Sequence, residues 1–211
     1  MQNHLQNIEQ WLKNNAHKIY QESLNQPANL EKLDELEKLV GETLPNDFKI
    51  LYQWHNGLND DKNLGSLFYG YDFWNLDKVT QSYRNILEDK SYRETISSYL
   101  EQVDDEINLQ GFVNQPKWIQ FAHDGSRTGF YLDLNPGEKG THGQVIFIDF
   151  DFNAIFVVAR SIADFIQQVD QDMQEGRYHL SEEALEDGNH WLDVDSEIDI
   201  LNWHKSVRWK K

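Results

Sequence analysis

The chain has 211 residues, no cysteine, and 36 Asp and Glu against 19 Lys and Arg, a formal net charge of −17 at pH 7. That charge argues against nucleic acid and anionic membranes, which need Lys and Arg facing phosphates, and favours a basic partner; the missing thiols exclude disulfides, thiolate metal sites and cysteine nucleophiles and fit a reducing compartment. With no basic start or apolar run in MQNHLQNIEQ, and a longest wholly apolar run of Ala154 to Ala159 against the ~20 residues of a membrane helix, a soluble cytoplasmic protein is expected.

Leu5, Ile8, Leu12, Ile19 and Tyr20, with Trp11 alongside, keep close to a 3.6-residue period, which predicts an amphipathic helix over the first two dozen residues, ended by Pro27. A second helix follows, with Asn29 as its cap, Leu30, Leu33, Leu36 and Val40 on one face, and Gly41 past its end. The third, within Leu44 to Gly57, has Pro45 in its first turn and Phe48, Leu51, Tyr52 and His55 at i, i+3, i+4 and i+7. His55 reads as a hydrogen-bonded structural histidine, since no partner lies at metal spacing.

Between Leu58 and Leu76 an Asn-, Asp- and Gly-rich loop leads into one or two short aromatic strands, with Tyr69, Tyr71 and Phe73 on one side. Asp77 is a candidate cap for the next helical region. There Val79, Tyr83, Ile86 and Leu87, then Ile96, Tyr99, Leu100, Val103 and Ile107 keep helical spacing, with a break near Lys90 to Tyr92.

The stretch from Lys117 to Ser161 alternates differently. Phe130, Leu132 and Leu134, and again Ile146, Ile148 and Phe150, recur at every second position, with Tyr131, Asp133, Asp149 and Asp151 between them. The separators DGSRTG, NPGEKGTHG and DFNA each reverse the chain, so four consecutive antiparallel strands are expected, with one apolar face to be covered. Ser161 and Asp164 resemble a capping box ahead of a stripe of Ile162, Phe165, Ile166, Val169 and Met173. From Ser181 to Asp199 there are eight acidic residues and no Lys or Arg, then Lys205, Arg208, Lys210 and Lys211. Trp191, Trp203 and Trp209 predict that this tail docks, because disordered segments are poor in aromatics.

No glycine-rich phosphate loop, GxSxG elbow, HExxH helix or EF-hand loop is present, so no catalytic residue, metal ligand or cofactor is assigned. Ser126 lies in a turn without a recognisable base nearby. Asp133, Asp149 and Asp151 can converge on one sheet face to bind a hard cation or act as an acid/base pair, although a wet outer face explains the same alternation. His123 and His142 read as exposed turn residues.

Two stretches together are similar to a known group. LPNDFKILYQWHNG, then FYLDLNPGEKGTHGQVIFID followed by VVARSIADFI, resembles the SUKH superfamily in its Smi/Knr-type branch of cell-wall regulators and their bacterial relatives. The most specific pieces are Leu44-Pro45 with Asn56-Gly57, the turn Asp133 to Pro136 with Gly140, the entry Gly143 to Val145, and the Ala159 to Phe165 junction; the resemblance covers roughly Leu30 to Met173. The family's Trp-Pro-like entry is Lys117-Trp118-Ile119 here, and its paired glycine is spread over Asp124 to Gly129.

The resemblance implies an α+β fold, with a single antiparallel meander of about four strands plus one or two extra strands, covered by several helices. The division that follows is an N-terminal helical extension over 1–28, the SUKH-like domain over 29–175, and a docked acidic, Trp-containing C-terminal extension over 176–211. Bacterial relatives imply an immunity protein that neutralises a cognate toxin domain, such as a nuclease, by direct binding; fungal relatives imply a regulatory scaffold of cell-wall synthesis. Toxin neutralisation is the leading expectation, with regulation as the alternative and a hydrolase using the sheet aspartates as the third. Exposed aromatics among acids would make the contact, which points to Asp72, Trp74, Asp124, Tyr131, Asp133, Asp149 and Asp151.

Overall fold

The structure is a computed structural model that describes residues 1–210, so Lys211 lies outside it. Its centre is the expected meander of β3 (Trp118–His123), β4 (Thr128–Asp133), β5 (Gln144–Asp149) and β6 (Ala154–Ala159), each antiparallel to the next. Two short strands complete a six-stranded sheet. β1 (Asp72–Phe73) pairs antiparallel with β3 at one edge, and β2 (Gln102–Val103) pairs parallel with β6 at the other, so the sheet is mixed but mostly antiparallel. Beyond β2, side chains close the edge of β6: Asp104 Oδ2 accepts the Val157 N–H at 3.0 Å and Gln168 Nε2 donates to the Val158 carbonyl at 3.3 Å.

The expectation of one apolar face is corrected by the register. Phe130 faces Phe147 and Tyr131 faces Ile146, so Ile146, Ile148 and Phe150 share the side of Tyr131, opposite Phe130 and Leu132. Both faces are greasy and both are covered. On the first, Phe121, Phe130, Leu132, Phe147 and Phe156 pack under α7 (Ile162–Gln174), and α1 (Gln2–Asn15) lies against α7. Ser161 Oγ caps α7 by accepting the Asp164 N–H at 3.0 Å, and Ile162, Phe165, Ile166, Val169 and Met173 are all buried. α2 (Leu30–Val40) and α3 (Asn46–Trp54) complete this layer. Asn29 caps α2 and Gly41 follows at φ 79°, as the spacing predicts.

The N-terminal helix is shorter than its period implies. It stops at Asn15, Ala16 bends at φ −139°, and a π-helical turn covers Ile19–Ser23 before Leu24 bridges to Leu58. Ala16 and Ile19 are fully buried, so tertiary packing overrides a straight continuation. In the aromatic stretch, Phe68, Tyr69, Tyr71 and Phe73 are all core, and Tyr71 Oη meets Thr128 Oγ1 at 2.6 Å.

The second face is covered by α4 (Leu76–Glu88), α5 (Lys90–Tyr99) and α6 (Leu109–Asn114). Asn75, not Asp77, caps α4, its Oδ1 accepting the Lys78 N–H at 3.0 Å. The helical spacing of Val103 and Ile107 also misleads: the helix ends at Tyr99, Leu100 is extended, and Val103 joins β2.

A hairpin of β7 (Tyr178–Leu180) and β8 (Leu192–Val194), with α8 (Glu182–Glu186) in its loop, precedes a turn-rich C-terminus. Its Ile198, Ile200, Trp203 and Trp209 enter the same apolar cluster as Leu5, Ile8 and Leu12 of α1 and the first face of the sheet. Two buried carboxylates hold this segment. Asp172 takes the Arg208 guanidinium on both oxygens and the Tyr69 hydroxyl at 2.9 Å. Asp149 accepts the Asp151 and Phe152 N–H groups at 2.8 and 3.0 Å on one oxygen and Trp203 Nε1 at 2.9 Å on the other.

Asp149→Ala leaves those three donors without their acceptor, so urea unfolding should show a loss of about 2–4 kcal/mol. Asp149→Asn, which keeps an acceptor oxygen for the turn, should lose less than half as much. Equal losses for both variants would show that the negative charge at 149, and not an acceptor oxygen for the turn, sets stability there.

Candidate partner-binding groove

α5 stands off the sheet. Asp89 ends α4 and caps α5, its Oδ1 accepting the Tyr92 N–H at 2.8 Å, so the two helices meet at a sharp corner. Buried Arg93 fixes that corner: its Nη1 donates to the Leu87 carbonyl at 2.9 Å, and its Nε to the Val113 carbonyl of α6 at 3.1 Å. Ile96 points inward, while Tyr92 and Tyr99 remain 49% and 60% exposed.

Beneath α5 the sheet is hollow. Two adjoining cavities of about 320 and 330 Å³ share Tyr92, Ile96, Gln120, Tyr131 and Phe150. Phe112 stacks on Trp118 at one end, with ring centroids 4.1 Å apart, and His123, Arg127 and Thr128 line the other. The floor is a cross-strand pair, Gln120 of β3 opposite Tyr131 of β4. Gly129 makes room for it, because a Cβ there would lie 2.5 Å from Gln120 Nε2.

Both floor residues are only 7% exposed, yet neither is fully bonded. Gln120 Oε1 receives a long 3.5 Å contact from Ser82 Oγ, and its Nε2 has no partner among the described residues. Nor, among those residues, has the Tyr131 hydroxyl. Burial holds that hydroxyl well above its ordinary range, so it stays protonated and able to donate. A concave apolar site with a few convergent polar groups is the usual form of a binding pocket.

The register carries Asp72 to His123, Gly129 and Ile148, and Thr128 to Asp149 and Ala154, so Asp72, Trp74, Asp124, Asp149 and Asp151 lie near one end of the sheet. Asp133 is at the opposite end. Asp133 and Asp149 are fully buried, which corrects the wet outer face inferred from alternation: both sit at strand ends and accept backbone N–H groups of the turns that follow. Asp124 likewise holds the β3–β4 turn by accepting the Ser126 and Thr128 N–H groups. Asp72 is largely buried, its carboxyl raised by burial and opposed by Lys78 at 3.2 Å. Trp74 packs on His123, whose pKa burial lowers. Asp151 is exposed and paired with Arg127 at 2.7 Å. Of the seven, Tyr131 alone lines the groove. Of the other groove residues, the sequence places Ile96 and Tyr99 on a helix face, Phe150 in a strand and Tyr92 in a break between helices, and it singles out no role for Gln120. The one available signal was the i, i+4, i+7 row of Tyr92, Ile96 and Tyr99.

A wider depression of about 890 Å³ lies over the β7–β8 hairpin, lined by Glu182, Glu183, Asp187 and Asp193 with Trp191 and Leu64. It carries much of the acidic field. Among the described residues, no group of three His, Cys, Asp or Glu is placed to hold a metal ion, and no helix is long and apolar enough to cross a membrane.

The family described as SMI1 / KNR4 family (SUKH-1) matches residues 27–168. The chain is similar to the cell wall biosynthesis/cell cycle regulator smi1 of Schizosaccharomyces pombe, 27% identical over 83% of this chain and 36% of that protein. It is also similar to the cell wall assembly regulator SMI1 of Saccharomyces cerevisiae, 24% identical over 83% of this chain and 40% of that one. A glucan synthesis regulatory protein of Neurospora crassa is 23% identical over 85% of this chain and 39% of its own length. The chain thus spans about two fifths of the length of these curated relatives.

Burial pushes the Asp133 carboxyl up to about 6, even though the Asn135 N–H and Gln144 Nε2 both donate to it. An unfolded aspartate titrates at ~3.9, so between about pH 4 and 6 the folded chain keeps a proton that the unfolded chain releases, and stability falls as pH rises. Across that window the stability of Asp133→Asn relative to wild type should rise by about 2–3 kcal/mol, whatever constant cost its altered bond to Gln144 adds. Parallel pH profiles for the two proteins in urea would mean that Asp133 ionises freely in the native state.

Proposed function

As the chain belongs to the SMI1/KNR4 (SUKH-1) family, we propose that it is a regulatory binding domain that acts by contact with partner proteins and without chemistry of its own. The carrying observation is that relatives aligned over more than four fifths of the chain are named as regulators of cell-wall or glucan synthesis. The groove beneath α5 is the contact site in this reading: exposed aromatics flank a floor whose Tyr131 hydroxyl and Gln120 Nε2 lack partners among the described residues. The surrounding acidity steers a basic partner toward the protein and repels polyanions.

Neutralisation of a toxin is the second reading, favoured by the net charge of −17, since an acidic inhibitor suits a basic nuclease. The names of the relatives move the weight to regulation.

Deleting the gene from its own organism separates the two. On the regulatory reading the deletion strain becomes several-fold more sensitive to a wall-digesting enzyme, wild type restores resistance, and a Tyr92→Ala/Tyr99→Ala variant does not. An unaltered wall together with killing by toxin-delivering neighbours would replace regulation by immunity.

A further inference from the structure

We propose that the groove beneath α5 is a site for a proline-rich segment in the polyproline II conformation. The proposal rests on the reading of the chain as a protein-binding domain and adds the chemistry of the ligand.

Tyr92 and Tyr99 are seven residues apart on one helix and both line the groove. Their Cα atoms are therefore about 10.5 Å apart along the axis. One turn of a polyproline II helix is three residues and about 9.3 Å. The two exposed rings can each pack against a proline one turn apart, with Ile96 between them.

The floor supplies the second half of the match. A polyproline II segment makes no internal hydrogen bonds, so its carbonyls must find donors elsewhere. Among the described residues, Tyr131 Oη and Gln120 Nε2 are unpartnered donors on residues 93% buried, set side by side by the strand register and opening into the cavity. Proline-rich ligands also arrive preformed, which lowers the entropic cost of ordering them in an aromatic groove.

Other occupants fit less well. An amphipathic helix would press its apolar face onto Gln120 and Tyr131 and leave both buried without partners, which is costly. A β-strand would need the sheet's edge, and this groove lies over its face. A strongly charged ligand finds no free counter-charge at this end of the groove, because Arg127 is already paired with Asp151.

The test is calorimetric titration of the full chain with a synthetic ten-residue peptide carrying Pro-x-x-Pro, beside its Pro-to-Ala counterpart and an amphipathic helical peptide, with amide shifts followed by NMR. Saturable binding of the proline peptide alone is expected, with shifts centred on β3, β4 and α5. Tyr131→Phe, which removes only the hydroxyl, should weaken it about tenfold, and Tyr99→Ala by at least as much. Unchanged melting temperatures in both variants establish that they fold. No saturation by about 1 mM peptide, equal binding of the alanine counterpart or the helical peptide, or wild-type affinity in both variants would overturn the site. Peptide binding without any wall defect in the deletion strain leaves the site standing and removes the regulatory reading; the reverse pattern removes the site alone.

Discussion

A sheet that is apolar on both sides is stable only when both sides are covered, and most of this structure follows from that constraint. The register that sets Phe130 against Phe147 also sets Tyr131 against Ile146, so a second oily surface faces away from α7. Burying such side chains contributes roughly 1.5–3 kcal/mol each, far more than the caps and surface ion pairs can supply. Helices α4 to α6 meet this demand incompletely. α5 and α6 are shorter than α7, and where α5 lifts away the cover becomes a roof over a cavity.

The buried carboxylates express the same constraint in polar form. Once both faces are closed, an acidic side chain at a strand end is no longer beside water, and it persists only by accepting several N–H groups. Asp149 and Asp172 do this while also tying the C-terminal Trp203 and Arg208 to the sheet and to α7. The segment with the highest density of acids is therefore anchored by acids that lie outside it, whereas Glu182, Glu183 and Asp187 remain in solvent to set the field.

Periodicity made the elements legible: the four strands, the caps at Asn29 and Ser161, and the apolar stripes follow from side-chain direction alone. Register was not legible, because a connection of ten residues between β4 and β5 does not fix which parity faces which. The apolar sets of the two strands consequently fell on opposite sides, and alternation assigned Asp133 and Asp149 to a wet surface that does not exist. Helical spacing also ran on through Val103, since a two-residue strand leaves too little pattern to see. Tyr131, an amphipathic ring among apolar neighbours, is the residue singled out in the sequence that lines the groove. Tyr92 and Tyr99 were not singled out: a stripe shows that a helix packs, never how far along it the packing extends. The order of weak motifs carried the kinship, which no single motif did.

The edges of the sheet have a further consequence. β1 and β2 are two residues long, and past β2 the backbone of Val157 and Val158 is engaged by the side chains of Asp104 and Gln168. Another chain finds no open ladder to extend at Val157 and Val158, so that stretch of the β6 edge is guarded against strand addition. Contact with another molecule then falls to side chains on surfaces and in hollows, where shape does the discriminating.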